Sequence, residues 1–546
     1  MKKYSKILIS SLLLASVMLV GQSCERWLDQ KEFDKIPLEE FWQTKEDVDG
    51  MVSGAYSQFR DKALPMIFYW GELRGDCIER NTSWNKDDGW VDDVVEVKEL
   101  NISTDNRFAK YVDVYSVINR CNQIIKYAPG VLDIDDTFEE SDCRHIVAEM
   151  KWLRCLCYFY LVKAFWDVPY VTDAYMDDTK PFAVAKTSGD VILEKLVEEL
   201  LDIVRPRTDT DPGGDLLPVN NGESWKKKGR GNVYAAFALL ADIYLWQEKY
   251  DEAITYCDKI IANVIDEEEN PDGLYSLVQT FTEKDVAGNP KDPTNNTWYN
   301  QIFANGNSTE SIFEVQCNLS DQVNPVLSLV YDNDGKGSTR LLIPNSLGNT
   351  TSGTLFGSES GQTRNVRGDV RSVRSDLRIW KYSATSAGNT TGRTDSQRGV
   401  NFIIYRLTEI YLMKAEALIM KEEGNMVNYT EAYDIINMIR ERGGFDAPHP
   451  AIFTTEQAGL EYLLLEKQRE FIAEAKRWPD LVRLALKKDN LYRDMLIDIM
   501  VADIAADVRD TYRSKLYDSR GYFFPIHQDE IDNSYGVVTQ NEYYDY

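Results

Sequence analysis

Between Gly231 and Ala262 apolar residues recur with the period of an α-helix, and two alanines stand where only a small side chain lets paired helices touch. Tyr234, Phe237, Ala241 and Tyr244 fall on one helical face. After a break at Gln247–Tyr250 a second helix begins at Asp251, with Ala253 facing back. Ala241 and Ala253 are 12 residues apart, the small-residue spacing of a tetratricopeptide-like helix pair. A second pair reads "RLTEIYLMKAEALIMKEEGN" followed by "NYTEAYDIINMIRERGG". Two weaker pairs join Asp142–Trp166 with Asp190–Val204, and Lys45–Arg60 with Arg107–Tyr127. Each pair leaves an apolar face that only a neighbouring pair can cover, so four of them predict a helical-repeat scaffold. The expected fold class is mostly α, a tetratricopeptide-like scaffold with long irregular loops and a few short strands.

The scaffold is interrupted once. Helical periodicity runs from about Pro37 to Val264, but between Thr282 and Gly399 the chain turns rich in Gly, Asn, Ser, Thr, Asp and Pro, a loop composition. "GNPKDPTNNTWYNQ" and "NTTSGTLFGSESGQTRN" are examples, with Ser311–Val315 and Arg340–Ile343 reading as short strands. Loops this long inside a folded chain usually carry function. The expected organisation is an N-terminal helical-repeat part (37–264), a loop-rich ligand or partner region (265–400) and a C-terminal helical-repeat part (401–546). With 61 Lys and Arg against 89 Asp and Glu, the formal charge is −28. Such a surface repels phosphate backbones, so nucleic acid is not an expected partner.

The first residues set the expected compartment. Lys2, Lys3 and Lys6 precede an apolar run, Ile7–Val20, too short to span a bilayer and suited to a signal peptide. Gly21 and Ser23 then lead to Cys24, which looks like a lipoprotein processing site, although Gly21 stands where an aliphatic residue is usual. Residues 1–23 read as signal peptide and 24–36 as a tether lipidated on Cys24. Acyl chains there would hold the protein on the outer membrane, with display at the cell surface as the expected orientation. Seven cysteines follow without a CxxC pair, so no disulfide framework is expected. Cys121, Cys155, Cys157 and Cys257 lie in apolar helical stretches and read as small core residues.

Enzyme signatures fail. HExxH, GxxxxGK[ST] and GxGxxG are absent, and "GSESG" (Gly357–Gly361) has Glu359 where a nucleophile elbow needs serine. "DNDG" (Asp332–Gly335) lacks the downstream acid of a calcium loop. No catalytic residue, metal or cofactor is expected. The positive signal is aromatic residues in polar loops. Trp84 and Trp90 lie in "CIERNTSWNKDDGWVDD", Trp298 and Tyr299 in "TNNTWYNQIF". Flat aromatic faces cover the C–H faces of a sugar ring, while amide, carboxylate and guanidinium groups answer its hydroxyls. Arg74 and Asp76, in the preceding turn, are the candidate polar contacts, and Tyr331 is a further aromatic candidate. The alternative use for such aromatics is to staple long loops onto the helices.

Six segments, in order, resemble the SusD/RagB family of outer-membrane nutrient-binding lipoproteins from the Bacteroides group. They are "FWQTKEDVDGMVSGAY", "GELRGD", "AEMKWLRCLCYFYLVKAFWDVPYVT", "NFIIYRLTEIYLMKAEAL", "LEKQREFIAEAKRWPDLVRL" and "FPIHQDEIDNSYGVVTQN". The fifth resembles the signature helix, with Arg469, Glu470, Glu474, Arg477, Trp478, Asp480, Leu481 and Arg483 in place. Ala475, where glycine is common, and Pro479 are departures. Glu474–Arg477 and Arg477–Asp480 are spaced as i,i+3 pairs that could cross-link one helical face, and Pro479 suits the first turn of a following helix. The resemblance implies capture of oligosaccharides, in loops projecting from the scaffold, for a TonB-dependent SusC-type barrel. Part of the family resembles peptide-uptake components, so a peptide or other non-sugar nutrient is the alternative ligand. A surface glycoside hydrolase is the enzyme alternative.

Overall fold

A computed structural model describes residues 41–84, 89–176, 183–206, 216–219, 224–266, 270–279, 297–318, 322–330, 339–348, 379, 381–383, 393–394, 397–443 and 450–545. Its principal helices are α1 (Lys45–Gln58), α2 (Trp90–Lys98), α3 (Val112–Val131), α4 (Glu140–Phe165), α5 (Gly189–Val204), α6 (Val233–Trp246) and α7 (Tyr250–Ile261). After the loop-rich region come α8 (Leu407–Lys421), α9 (Met426–Arg442), α10 (Glu456–Phe471), α11 (Arg477–Asn490), α12 (Arg493–Val501) and α13 (Arg509–Tyr517). Three two-stranded antiparallel pairs complete it: β1 (Glu79–Arg80) with β5 (Leu341–Leu342), β2 (Val168–Pro169) with β3 (Lys186–Thr187), and β4 (Ser311–Val315) with β6 (Phe402–Arg406).

The four expected helix pairs are all present: α1 packs on α3, α4 on α5, α6 on α7 and α8 on α9. They join into a series because α3 also packs on α4, α5 on α6, and α7 on α8. Ala241 and Ala253 are fully buried, as close helix approach requires. Sequence sets the helix starts. Thr44 and Asp47 form a reciprocal capping box on α1, and the Asn232 side chain accepts from the backbone N–H groups of Tyr234 and Ala235 at 3.0 Å each. The third element began later than expected: Arg107–Ala109 is a separate 3-10 turn before α3. Cys77, Cys121, Cys143, Cys155, Cys157 and Cys257 are free and buried, and Cys317 is free and half-buried.

The signature segment is split between two helices, and the break falls between Glu474 and Arg477, which their spacing had put on one helical face. α10 stops at Phe471 and α11 begins at Arg477, because Ala473 (φ 63°) and Ala475 (φ 61°) take left-handed backbone. Glycine adopts that conformation without a Cβ penalty, which accounts physically for its frequency at the second position. The proposed Glu474–Arg477 and Arg477–Asp480 pairs give way to other partners, of which Asp480–Arg483 is itself at i,i+3 spacing and the rest are longer-range. Glu474 binds Arg406 and Lys381, Arg477 binds Asp76, and Asp480 binds Arg483 and Lys467. Pro479 does fall in the first turn of α11.

Glu474 belongs to a buried network. Arg406, at the end of β6, donates to Glu474 at 2.9 Å, to Glu470 at 2.6 Å and to Glu310 at 3.4 Å. Arg442 also joins Glu310 and Glu470, and Lys381 donates to Glu474 at 2.7 Å. Three carboxylates thus meet three cations where α9, α10, β6 and the loop before β4 converge. A second cluster pairs Glu416 with Arg483 and Lys467.

Candidate functional site

The turn "GELRGD" and the signature break lie face to face. A Cβ added to Gly71 would sit 2.2 Å from the Ala475 carbonyl oxygen, so only glycine permits this approach. Glu72 accepts from the Lys476 backbone N–H at 3.2 Å. Arg74 donates to the Tyr522 carbonyl at 2.6 Å, with its guanidinium 4.6 Å from the Trp478 ring centroid and 5.2 Å from that of Phe524. Asp76 accepts from Arg477 at 2.6 and 2.9 Å and from Gln468 at 2.7 Å. Burial alone would push the Asp76 carboxyl up, but the Arg477 charge and its hydrogen bonds outweigh burial and hold it below its ordinary value. Arg74 is 2% exposed. Both residues, read from sequence as ligand contacts, are instead a latch between the N-terminal turn and the C-terminal signature. Both are turned into the protein: Arg74 donates through both terminal guanidinium nitrogens to the Tyr522 and Gly521 carbonyls, and both Asp76 carboxylate oxygens accept from Arg477.

Glu72 makes this latch pH-sensitive. Burial pushes its carboxyl up to about 8, against the backbone N–H groups of Lys476 and Ala475 and the Lys381 charge, which lower it. One carboxyl oxygen meets no donor among the described residues. The folded state therefore keeps this proton to higher pH than the unfolded chain does. The stability it contributes is complete below the ordinary carboxylate range and is lost as pH rises towards about 8. Glu72→Gln, which keeps the acceptor for Lys476, is expected to remove a loss of a few kcal/mol, on the order set by such a gap. Melting temperature followed across pH for both proteins checks this. Parallel curves would contradict it.

Trp84 and Trp90 are brought together by β1. The Asn81 backbone N–H donates to the Arg340 carbonyl at 2.9 Å, the Asn81 amide donates to the Thr339 carbonyl at 2.7 Å, and the Trp84 N–H closes a turn onto Asn81 at 3.0 Å. The two indoles meet edge to face with centroids 5.0 Å apart. The Arg340 guanidinium lies 4.7 Å from the Trp84 ring and 5.3 Å from the Trp90 ring. The Trp90 indole N–H donates to the Tyr69 hydroxyl at 3.1 Å, fixing the start of α2 to the interior. Each tryptophan is 2% exposed. They are corrected from sugar platforms to a brace beside the β1–β5 pair, because each is buried against the other and under the Arg340 guanidinium. Sequence reasoning missed Arg340, which carries no local signal: only pairing of β1 with β5 puts it over the rings.

Trp298 and Tyr299 are also interior, at 1% and 3% exposure. Both rings pack on Phe303, which meets Tyr382 at 5.2 Å, and Tyr382 stacks on Phe402 of β6 at 5.1 Å. The stapling alternative describes them. They do not meet the Trp84–Trp90 pair in any ring contact among the described residues. Tyr331 and Cys24 lie outside the described residues, as do residues 1–36 with the expected signal peptide and tether. Among the described residues no group of three or more His, Cys, Asp or Glu side chains is arranged to hold a metal. Nor is any helix among them long and apolar enough to cross a membrane.

A helical series whose N-terminal turn locks into a C-terminal signature is matched by known families. The family model described as "SusD family" covers residues 218–544. The chain belongs to the SusD family. A second SusD-type model, described as "Starch-binding associating with outer membrane", covers residues 26–245. SusD-like protein P2 of Formosa agariphila is 25% identical over 512 residues, 89% of this chain and 91% of that protein. Starch-binding protein SusD of Bacteroides thetaiotaomicron is 23% identical over 400 residues, covering 66% of this chain and 68% of its own. Among solved structures, a SusD superfamily protein from Bacteroides vulgatus superposes with a TM-score of 0.65 at 20% identity, covering 92% of this chain and 99% of that one. Surface glycan-binding protein A from Bacteroides thetaiotaomicron, in complex with laminarihexaose, gives 0.61 at 20%, covering 91% and 99%. The SusD-type fold is thus mostly α and tetratricopeptide-like. In this chain the early turn and the late signature each supply the other's buried partners.

Proposed function

We propose that this SusD-family chain is an outer-membrane lipoprotein, anchored through Cys24, that captures oligosaccharides and passes them unchanged to a TonB-dependent barrel of the SusC type. The observation that carries the reading is family membership over a helical-repeat scaffold that also superposes on a glycan-binding protein solved with laminarihexaose. The acids of the signature support a structural, non-catalytic role. Burial pushes the Glu474 carboxyl up, but Arg406 and Lys381 outweigh it and hold the group below its ordinary value, so it is no proton donor at neutral pH. Tyr331 is kept as a ligand contact on its sequence context alone. Binding to an open loop surface is expected to be weak, micromolar to millimolar, or about −8 to −4 kcal/mol.

Affinity electrophoresis of the mature chain (residues 24–546) through gels containing plant, host and microbial polysaccharides tests this. Retardation by at least one polymer is the expected result. Uniform mobility across the panel, together with measurable binding of a peptide mixture, would move the ligand class from sugar to peptide.

A further inference from the structure

Beside the brace, α12 and α13 form a hairpin whose outer side carries an open groove of about 490 Å³, lined by Asp494, Ile497, Asp498, Arg513, Ser514 and Tyr517. The two helices contribute matched pairs: Asp494 and Asp498 stand one turn apart on α12, Arg513 and Tyr517 one turn apart on α13. Asp498 and Arg513 meet across the groove at 2.6 Å. Tyr517 is 59% exposed. Its orientation is fixed from one side by Arg493, whose guanidinium lies 3.6 Å from the ring centroid and donates to the Tyr517 carbonyl at 3.3 Å. The hairpin is also held to the body. Ile497 and Leu516 are buried, the Tyr512 hydroxyl donates to the Lys98 carbonyl at 3.2 Å, and Lys515 donates to the Glu99 carbonyl at 2.8 Å. A pre-formed concavity with an aromatic wall and a few convergent polar groups is the usual form of a small-ligand site.

We infer that this groove is a saccharide subsite selective for neutral sugars, resting on the glycan-binding reading above. The Tyr517 ring would receive the C–H face of one residue, while Asp494, Asp498, Arg513 and Ser514 accept from or donate to its hydroxyls. Charge decides the class of sugar. The carboxylates of Asp494 and Asp498 balance the guanidinium groups of Arg513 and Arg493, so the groove offers no net attraction to a uronate or sulfate. The chain as a whole, at −28, repels polyanions. A cationic peptide fits no better: its charge would face the guanidinium groups of Arg513 and Arg493.

Hydroxyl-radical footprinting of the mature chain, read by mass spectrometry, tests the assignment with maltohexaose and laminarihexaose as neutral probes. Hexagalacturonate and tri-lysine serve as charged ones. Protection of the peptide carrying Tyr517 by a neutral hexasaccharide is expected, with calorimetric affinity falling about tenfold in Tyr517→Ala. Asp494→Asn, on the exposed face, is a second variant expected to weaken binding without loss of melting temperature. Neutral-sugar binding with no protection at Tyr517 and no change in either variant overturns the groove while leaving the glycan-binding reading intact. Binding of no hexasaccharide at all, while polymers still retard the protein, also overturns the groove. Protection by hexagalacturonate or tri-lysine alone overturns the neutral-sugar assignment.

Discussion

Arg406→Met is expected to destabilise the fold by about 3–5 kcal/mol. Arg406 is fully buried and is the common partner of Glu310, Glu470 and Glu474. Removing it leaves three interior carboxylates with Arg442 and Lys381 as their remaining cations in this cluster. Breaking a buried ion network by deleting one member costs about 3–5 kcal/mol, because the surviving charges lose compensation without regaining water. Against a typical stability of roughly 5–15 kcal/mol, that is a large fraction. Arg406→Lys keeps one charge but not the forked donors that reach Glu474 and Glu470 together, so an intermediate loss is expected. Thermal unfolding followed by circular dichroism reads the series. A methionine variant that melts with the wild type would show that the network contributes nothing.

Trp298→Ala is the second large effect, and it is an effect on stability. The ring fills a buried site against Phe303, and its indole N–H finds no acceptor among the described residues. Truncating a buried tryptophan costs about 3–5 kcal/mol through lost transfer energy and the cavity left behind. Trp84→Ala is expected to act likewise, because Trp90 and Arg340 lose their packing partner. Affinity measured on the folded fraction of either variant should match the wild type. A variant that melts normally but no longer binds sugar would restore the residue as a ligand contact.

These two residues show what sequence could and could not convey. The helix pairs were legible because period and small-residue spacing are local: Tyr234, Ala241 and Ala253 announce their packing within one hairpin. So were the short strands at Ser311–Val315 and near Arg340, bounded by polar turns. The fate of Trp84, Trp90 and Trp298 was not legible. Asn, Lys and Asp neighbours make each look exposed, while the groups that bury them arrive from distant segments: Arg340 through β5, and Phe402 of β6 through Tyr382. Arg74 and Asp76 misled for the same reason, since Trp478 and Arg477 are brought to them only by tertiary structure. The signature charges failed differently. The Glu474–Arg477 spacing presumed one helix, and two alanines with positive φ break it; Arg477 and Asp480 share α11 but pair with Asp76 and with Arg483 and Lys467. The groove left a faint mark, acidic and basic-aromatic pairs at one-turn spacing on two adjacent amphipathic stretches. Nothing local distinguished those pairs from solvated helix faces.

The most direct measurement is a calorimetric titration of the mature chain with oligosaccharide released from whichever polymer retards it, followed by determination of the sugar's chain length after prolonged incubation. Saturable binding in the micromolar to millimolar range, with every chain recovered at its starting length, is the expected result. Shortened chains or newly formed reducing ends would contradict capture without chemistry and make this SusD-family protein a hydrolase.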